Sequence, residues 1–372
     1  MIHAIARWLN RQSGWEQPIT GGIVVGMDRA DSANVVLLLF DAAGRAAAVA
    51  KVSRQRAGDG ALANEYTTLR ELWELGTESV CRFAPEPVAL RRIGGSLVLV
   101  EKTVLGRSML TRYYRPHHTA SPDRVATEVG AVASWIDRFQ AETRSGWVEI
   151  DRRFIQTEID PLLHRFRREL GWTVVENEIF SAVKERALEL TGLQVPLVAV
   201  HGDCWMGNFL LSGERVTGVI DWECSQLRGL PFADIYKLPT SYGFYLDRPY
   251  PGAQGRVPGH PGRALAEVRW RGYGDWANLP GFGYTYFGEG WFPELVHRFV
   301  SDRLSALGLP AAVNAVFFPL FLAQQAMTLD VEDFRSGYRT LLTALWRERQ
   351  STWLLDGGWS DEKTPHPLAV NQ

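Results

Sequence analysis

The stretch from Val200 to Asp234, VHGDCWMGNFLLSGERVTGVIDWECSQLRGLPFAD, narrows the possible folds more than any other part of the chain. Pro196 to Val200 is a short apolar run that reads as a buried strand, and His201-Gly202-Asp203 turns the chain sharply at its end, with Gly202 permitting the turn. Phe209 to Leu211 and Val216 to Ile220 read as two short strands joined by Ser212-Gly213-Glu214, a tight hairpin signal. That hairpin folds Asn208 back toward Asp221. Two oxygen donors of the kind that hold hard cations therefore converge, with the carboxylate of Asp203 five residues before Asn208 close by.

Metal-assisted phosphoryl transfer needs this convergence. In its kinase template a loop Asp accepts the proton of the acceptor hydroxyl, an Asn on the same loop holds one metal, and a second Asp on the next strand holds both. Here the positions are Asp203 as base, and Asn208 and Asp221 as ligands. Magnesium keeps several waters and takes one or two carboxylates, so Asp221 with the amide oxygen of Asn208 suffices. Because the transition state is loose, Asp203 chiefly orients the hydroxyl and takes its proton late. Taken singly, each residue has a plain structural reading: His201 as a hydrogen-bonded brace of the loop, Asp203 or Asn208 as turn residues, Asp221 as a strand-end cap. Order, spacing and flanking strands together decide for chemistry, and His201 keeps its bracing role.

HGD-x4-N followed by IDWE and then by Gly229, Pro231 and Asp234 resembles the aminoglycoside phosphotransferase and choline-kinase-like superfamily of small-molecule kinases. The resemblance implies an α+β, two-lobed protein-kinase-like fold. A small β-rich, ATP-binding lobe would span 1–102, a hinge 103–108, and a larger, mainly helical lobe for catalysis and acceptor binding 109–355, with a loose tail over 356–372. It also implies that Asp234 supports the catalytic loop through hydrogen bonds and does not touch substrate. Glu223 stands where protein kinases carry the Gly of Asp-Phe-Gly, and no Ala-Pro-Glu follows, which favours metabolites over protein substrates.

An ATP-holding lobe must then precede this block. Gly22 to Met27, Asn34 to Phe40 and Ala46 to Val52 read as a three-stranded meander, with Lys51 on its third strand where the template lysine meets the α- and β-phosphates. Asn64-Glu65-Tyr66 opens an amphipathic helix carrying Leu69, Leu72 and Trp73, and Glu65 is the natural partner that fixes the Lys51 ammonium; Glu71 and Glu74 on the same helix are the alternatives. The loop from Gly26 to Asn34 is less glycine-rich than a protein-kinase phosphate loop; Ser32 and nearby amides are its candidate phosphate contacts, whereas Asp28 and Asp31 are unsuited by charge. Leu97 to Thr103 reads as an edge strand of this sheet. By resemblance its end is the hinge, where backbone groups from Glu101 to Thr103 would bond the adenine edge. No GxxxxGK[ST] occurs, which excludes a P-loop ATPase.

With 46% hydrophobic residues among 372 and a formal net charge of −2, the chain can build two substantial cores and offers no basic stripe for nucleic acid. Three unevenly spaced cysteines form no metal pattern and point to a reducing, cytoplasmic setting. The first residues lack the features of a secretory signal. Ala311 to Met327 is apolar but short, and contains Asn314, Pro319 and two glutamines, so it reads as a buried helix and not a membrane span. Helical periodicity recurs through Val125, Val129, Val132, Ile136 and Phe139, and through Ile159, Leu163 and Phe166. Between Thr240 and Pro293, the aromatics Tyr242, Phe244, Tyr245, Trp270, Tyr273, Trp276, Tyr284, Tyr286 and Trp291 either pack an irregular insertion or line an acceptor pocket or lid. Asp330, Glu332 and Asp333 read as a solvated helix start before an acidic acceptor site.

Together these readings imply an ATP- and Mg2+-dependent kinase acting on a hydroxyl of a small molecule: a sugar or amino sugar first, then an amino alcohol, then an aminoglycoside. The alternatives are a protein kinase and a catalytically inactive nucleotide-binding scaffold; a scaffold has no need of the base Asp203. The oligomeric state is open.

Overall fold

The computed structural model describes residues 1–12, 15, 17–26, 34–113, 115, 118–119, 121–245, 270–274, 276, 278–328 and 332–355; the tail over 356–372 lies outside them. Packing divides the chain into two compact units, Met1–Gly146 with Pro196–Leu238, and Trp147–Val195 with Pro239–Gln372. The expected hinge at 103–108 falls inside the first unit.

The first unit is built on an antiparallel sheet of β1 (Ile19–Gly26), β2 (Asn34–Asp41), β3 (Ala46–Ser53), β4 (Pro87–Ile93) and β5 (Ser96–Lys102), in the order β1-β2-β3-β5-β4. The expected meander is its first half. The strand expected at the edge, β5, is interior, because β4 pairs along its outer side. β4 escapes a sequence reading because its residues are half-buried or exposed, with Arg91 and Arg92 turned outward. A hairpin signal was present in Gly94-Gly95, whose φ angles of 60° and 90° suit a tight two-residue turn.

Strand alternation gives β3 two different faces. Ala48, Ala50 and Val52 join Val98 and Val100 in an apolar core that is covered by Ile5, Ala6 and Leu9 of a short amphipathic helix, α1 (Ile2–Leu9). Lys51 points to the opposite face. There α2 (Arg56–Leu75) lies along the sheet, presenting Leu62, Leu69 and Leu72, all fully buried. α2 begins eight residues before the expected start at Asn64, since Gly58 and Gly60 weaken the helical signal of its first turns. It ends where Gly76 takes the left-handed conformation.

Downstream in the same unit, the Gln194–Val200 strand leads to the loop at His201, and the hairpin of Phe209–Ser212 with Arg215–Val219 turns at Gly213, φ 58°. The Pro122–Glu142 helix buries Val125, Val129, Val132, Ile136 and Phe139 as its periodicity predicts. The second unit is helical. Its Asn314–Thr328 helix packs on the Asp160–Leu170, Val174–Glu189 and Glu332–Arg347 helices. Residues Ala311–Thr328 are apolar enough to cross a membrane, but 78% of this segment is buried inside the protein, as a core helix would be. Tyr242, Phe244, Trp270, Tyr284 and Tyr286 are core residues too, each 3% exposed or less.

Candidate active site

Lys51 enters the site from β3, where its ammonium meets both oxygens of Glu65, at 2.6 and 2.8 Å, and Oδ1 of Asp221 at 2.8 Å. Glu65 lies on the apolar stripe of α2 and is fully buried, so its charge is held by donors alone. Besides Lys51, the donor is the Trp222 amide, 2.9 Å from Oε1. The α2 glutamate therefore grips the lysine and the backbone just past Asp221 at once. Glu74, the more distant alternative, is exposed. Asn64, next along α2, donates to the carbonyls of Glu223 and Ser225 at 3.0 Å each.

Asp221 is the one non-glycine among the described residues with a left-handed backbone, φ 70°, a conformation that Asp tolerates better than most residues. Its side chain is 40% exposed, whereas that of Lys51 is 10% exposed. The Lys51 charge holds the Asp221 carboxyl below the usual carboxylate range. Burial works against the Lys51 ammonium, yet Asp221 and Glu65 outweigh it and hold its pKa well above the ordinary lysine value.

The loop carrying Asp203 is fixed from beneath. Fully buried Asp234 accepts the amides of His201 at 2.9 Å and Gly202 at 2.8 Å. Gly202 has φ 82°, and a Cβ there would stand 2.4 Å from the Cys224 carbonyl oxygen, so both conformation and space require glycine. His201 Nδ1 accepts the Asp203 amide at 3.3 Å, which leaves Nε2 to donate to the Ile220 carbonyl at 3.1 Å. Its ring packs on Trp222, with centroids 4.6 Å apart. His201 thus ties the 201–203 loop to the backbone just before Asp221.

Asn208 donates from Nδ2 to the carbonyl of Asp203 at 2.9 Å and to Asp203 Oδ2 at 3.1 Å. This commits the amide nitrogen, so the amide oxygen is the atom that could serve a cation. The Ile220 amide donates to the Asn208 carbonyl at 3.0 Å, which holds Asn208 beside the residue that precedes Asp221. One carboxylate and one amide oxygen form a hard donor set that suits a magnesium ion keeping most of its water. Among the described residues no group of three His, Cys, Asp or Glu side chains forms a separate metal site.

Two features were not legible in the motifs. Lys237, on the Phe232–Tyr245 helix, places its ammonium 2.9 Å from Asp203 Oδ1. Glu101 is paired in register with Val49, so its side chain shares the Lys51 face of the sheet. Its Oε1 is buried with no hydrogen-bond partner, and burial together with the Glu65 charge pushes its pKa up to about 8. Thr103 Oγ1 is also buried without a partner. The amides of Lys102 and Thr103 donate to the carbonyls of Glu86 at 2.9 Å and Ala47 at 3.2 Å, so what this segment offers a ligand is its orphaned side-chain atoms and its carbonyls. Ser32 lies outside the described residues.

An antiparallel sheet whose lysine is locked to a helix glutamate, joined in one unit to a base-and-ligand loop, is the architecture of the kinase-like phosphotransferases. A match over residues 29–280, more than half of the sequence, places the chain among them. It belongs to the phosphotransferase enzyme family APH.

Solved structures agree on the fold. A thermostable mutant of aminoglycoside phosphotransferase APH(4)-Ia, in its apo form, is 14% identical and superposes over 93% of this chain and 100% of its own at a TM-score of 0.54. A further variant of that enzyme, in ternary complex with ADP and hygromycin B, is 12% identical over 92% and 98% of the two chains, also at 0.54. A third, in ternary complex with AMP-PNP and hygromycin B, is 14% identical over 94% and 99%, at 0.54. No curated protein matches the sequence.

Proposed function

We propose that this small-molecule phosphotransferase transfers the γ-phosphoryl group of ATP, with Mg2+, to a hydroxyl of its acceptor. Sugars and amino sugars are the favoured acceptors, followed by amino alcohols and aminoglycosides. The observation that carries the reading is the joining of Lys51, Glu65 and Asp221 in one ion-paired cluster, with Asn208 tied by its carbonyl to Ile220 beside it. The nucleotide and antibiotic complexes of the APH(4)-Ia variants support ATP as donor and a hydroxylated small molecule as acceptor.

In this reading Lys51, steered by Glu65, leaves Asp221 for the ATP phosphates. Asp221 and Asn208 hold the metal, which when bound supplies charge neutralisation at the phosphates. Asp203 has each oxygen already held once, by Lys237 and Asn208, and turns a remaining lone pair to the acceptor hydroxyl, orienting it and taking its proton late. Asp234 and His201 fix the loop and touch no substrate. Glu101 and Thr103 face the base of the nucleotide, and Ser32 stays the phosphate contact that the sequence suggests. The lobes divide near residues 103–108, with acceptor binding in the residues beyond.

The test is ADP release by the purified protein with Mg-ATP against a panel of sugars, amino sugars, amino alcohols and aminoglycosides, beside Asp203→Ala. Acceptor-dependent turnover that falls about 10²–10⁴-fold in the variant is expected. ATP binding with no turnover on any acceptor would instead favour the scaffold.

A further inference from the structure

The Phe232–Tyr245 helix presents two charged side chains one turn apart, and both face the catalytic loop. Asp234 takes the loop's backbone through His201 and Gly202. Three residues on, Lys237 takes the side chain of Asp203, with the ammonium 2.9 Å from Oδ1. The Lys237 side chain is 9% exposed and that of Asp203 25% exposed, so the lysine sits behind the carboxylate and the carboxylate faces solvent. On its other oxygen Asp203 accepts Asn208 Nδ2 at 3.1 Å. The carboxylate is thus gripped at both ends, and rotation about its last bond is blocked.

We propose that Lys237 is a positioning residue for phosphoryl transfer, its ammonium locking the Asp203 carboxylate in the orientation that receives the acceptor hydroxyl. The proposal rests on the kinase reading above, in which Asp203 is the base. Its physical content is orientational. Without the cation, Asn208 alone holds the carboxylate, which can then swing about that single contact, and misplacement of a reacting group by about 1 Å lowers the rate by roughly 100-fold. Lys51, Glu65 and Asp221 are untouched by this loss, so nucleotide binding is preserved. A merely structural Lys237 would behave differently. Its removal would lower the amount of folded protein, and the turnover of what folds would stay the same.

The experiment compares wild type, Lys237→Met, Lys237→Gln and Lys237→Arg by steady-state kinetics on any acceptor that gives Asp203-dependent turnover, with thermal melts to count folded protein. Expected is a kcat reduced about 10–100-fold in the Met and Gln variants with KM for ATP within about twofold of wild type, and recovery of most of that kcat in the Arg variant. Gln keeps a donor and the packing, so it reports even where Met fails to fold. A folded Gln or Met variant with kcat within about twofold of wild type overturns the proposal alone, as does an Arg variant no better than Gln. A wild type with no acceptor-dependent turnover overturns the kinase reading and this proposal with it.

Discussion

Each unit of the molecule holds an ion pair on a buried glutamate, and the two are built to opposite rules. In the second unit Arg339 meets Glu176 in a two-pronged contact, Nε to Oε1 at 2.6 Å and Nη2 to Oε2 at 2.7 Å, and donates a further bond to the Leu170 carbonyl. Glu176 is also the closing residue of a capping box with Thr173 at the start of the Val174–Glu189 helix. One cation touches one anion, with Glu332 acting on it only from a distance, and the guanidinium also lies over the Phe166 ring. In the first unit a single Lys51 sits among Glu65, Asp221 and Glu101, all of which act on its charge. The balanced pair is a latch. The unbalanced cluster has more acids than cations, and the strain shows in Glu101, whose pKa burial and the Glu65 charge push up to about 8. Excess charge, and not burial of charge, separates the candidate site from the latch.

The strongest way to break this comparison is Asp221→Asn. Removing one of the three acids lessens the excess of negative charge around Lys51, and Asn tolerates the left-handed backbone, so melting temperature should hold or rise while turnover falls about 10³-fold. A fall in melting temperature with activity kept would make Asp221 structural. The mirror case is Arg339→Met, which leaves Glu176 with only the Thr173 amide on its carboxylate and should cost about 2 kcal/mol in urea unfolding with kcat per folded molecule unchanged. Adding Glu176→Met should recover most of that loss, because an apolar pair then replaces the ionic one.

Glu101→Gln sharpens the comparison through pH. A carboxyl whose folded pKa is about 8, against 4.5 unperturbed, contributes its full stability below about pH 4.5 and loses it as pH rises toward 8. Between pH 5.5 and 8 the wild type should lose roughly 3 kcal/mol that the Gln variant keeps. Melts at the two pH values read this as a gap that widens in the variant's favour; an unchanged gap would show that Glu101 does not titrate in that range. The smallest effect is Thr173→Ala, which removes the cap that orders Glu176 and should cost about 1 kcal/mol in the same unfolding assay.

Most of the site was legible because its residues cluster in sequence around turns. Asp203, Asn208 and Asp221 sit on a strand, a loop and a hairpin whose signals are local, and Lys51 and Glu65 are 14 residues apart. Lys237 was not legible, since a lysine in an apolar helical run is also what an ordinary snorkelling side chain looks like. Glu101 was read for its backbone; its side-chain role depends on the β3–β5 register, which is a long-range pairing. The fold shows the same division. The meander and the Pro122–Glu142 helix follow from period and turns, whereas β4 and the first turns of α2 were hidden by arginines and glycines. The aromatics after Thr240 admitted two readings because hydrophobic patterning does not distinguish a pocket wall from a core. Tyr242, Phe244, Trp270, Tyr284 and Tyr286 are buried core, whereas Tyr245, Tyr273, Trp276 and Trp291 are half-buried.

The first unit is interrupted in sequence by Trp147–Val195, which belongs to the second. A growing chain that has reached residue 146 possesses Lys51 and Glu65 but neither Asp221 nor the Trp222 amide that shares Glu65. Its buried glutamate then lacks one of its donors, and its lysine lacks an acid partner. The sheet is complete long before its charges are settled. Ordered emergence from the ribosome thus delays assembly of the charged cluster until part of the second unit has been made, and a fragment truncated before Asp221 would have a finished sheet whose Lys51 and Glu65 lack these later partners.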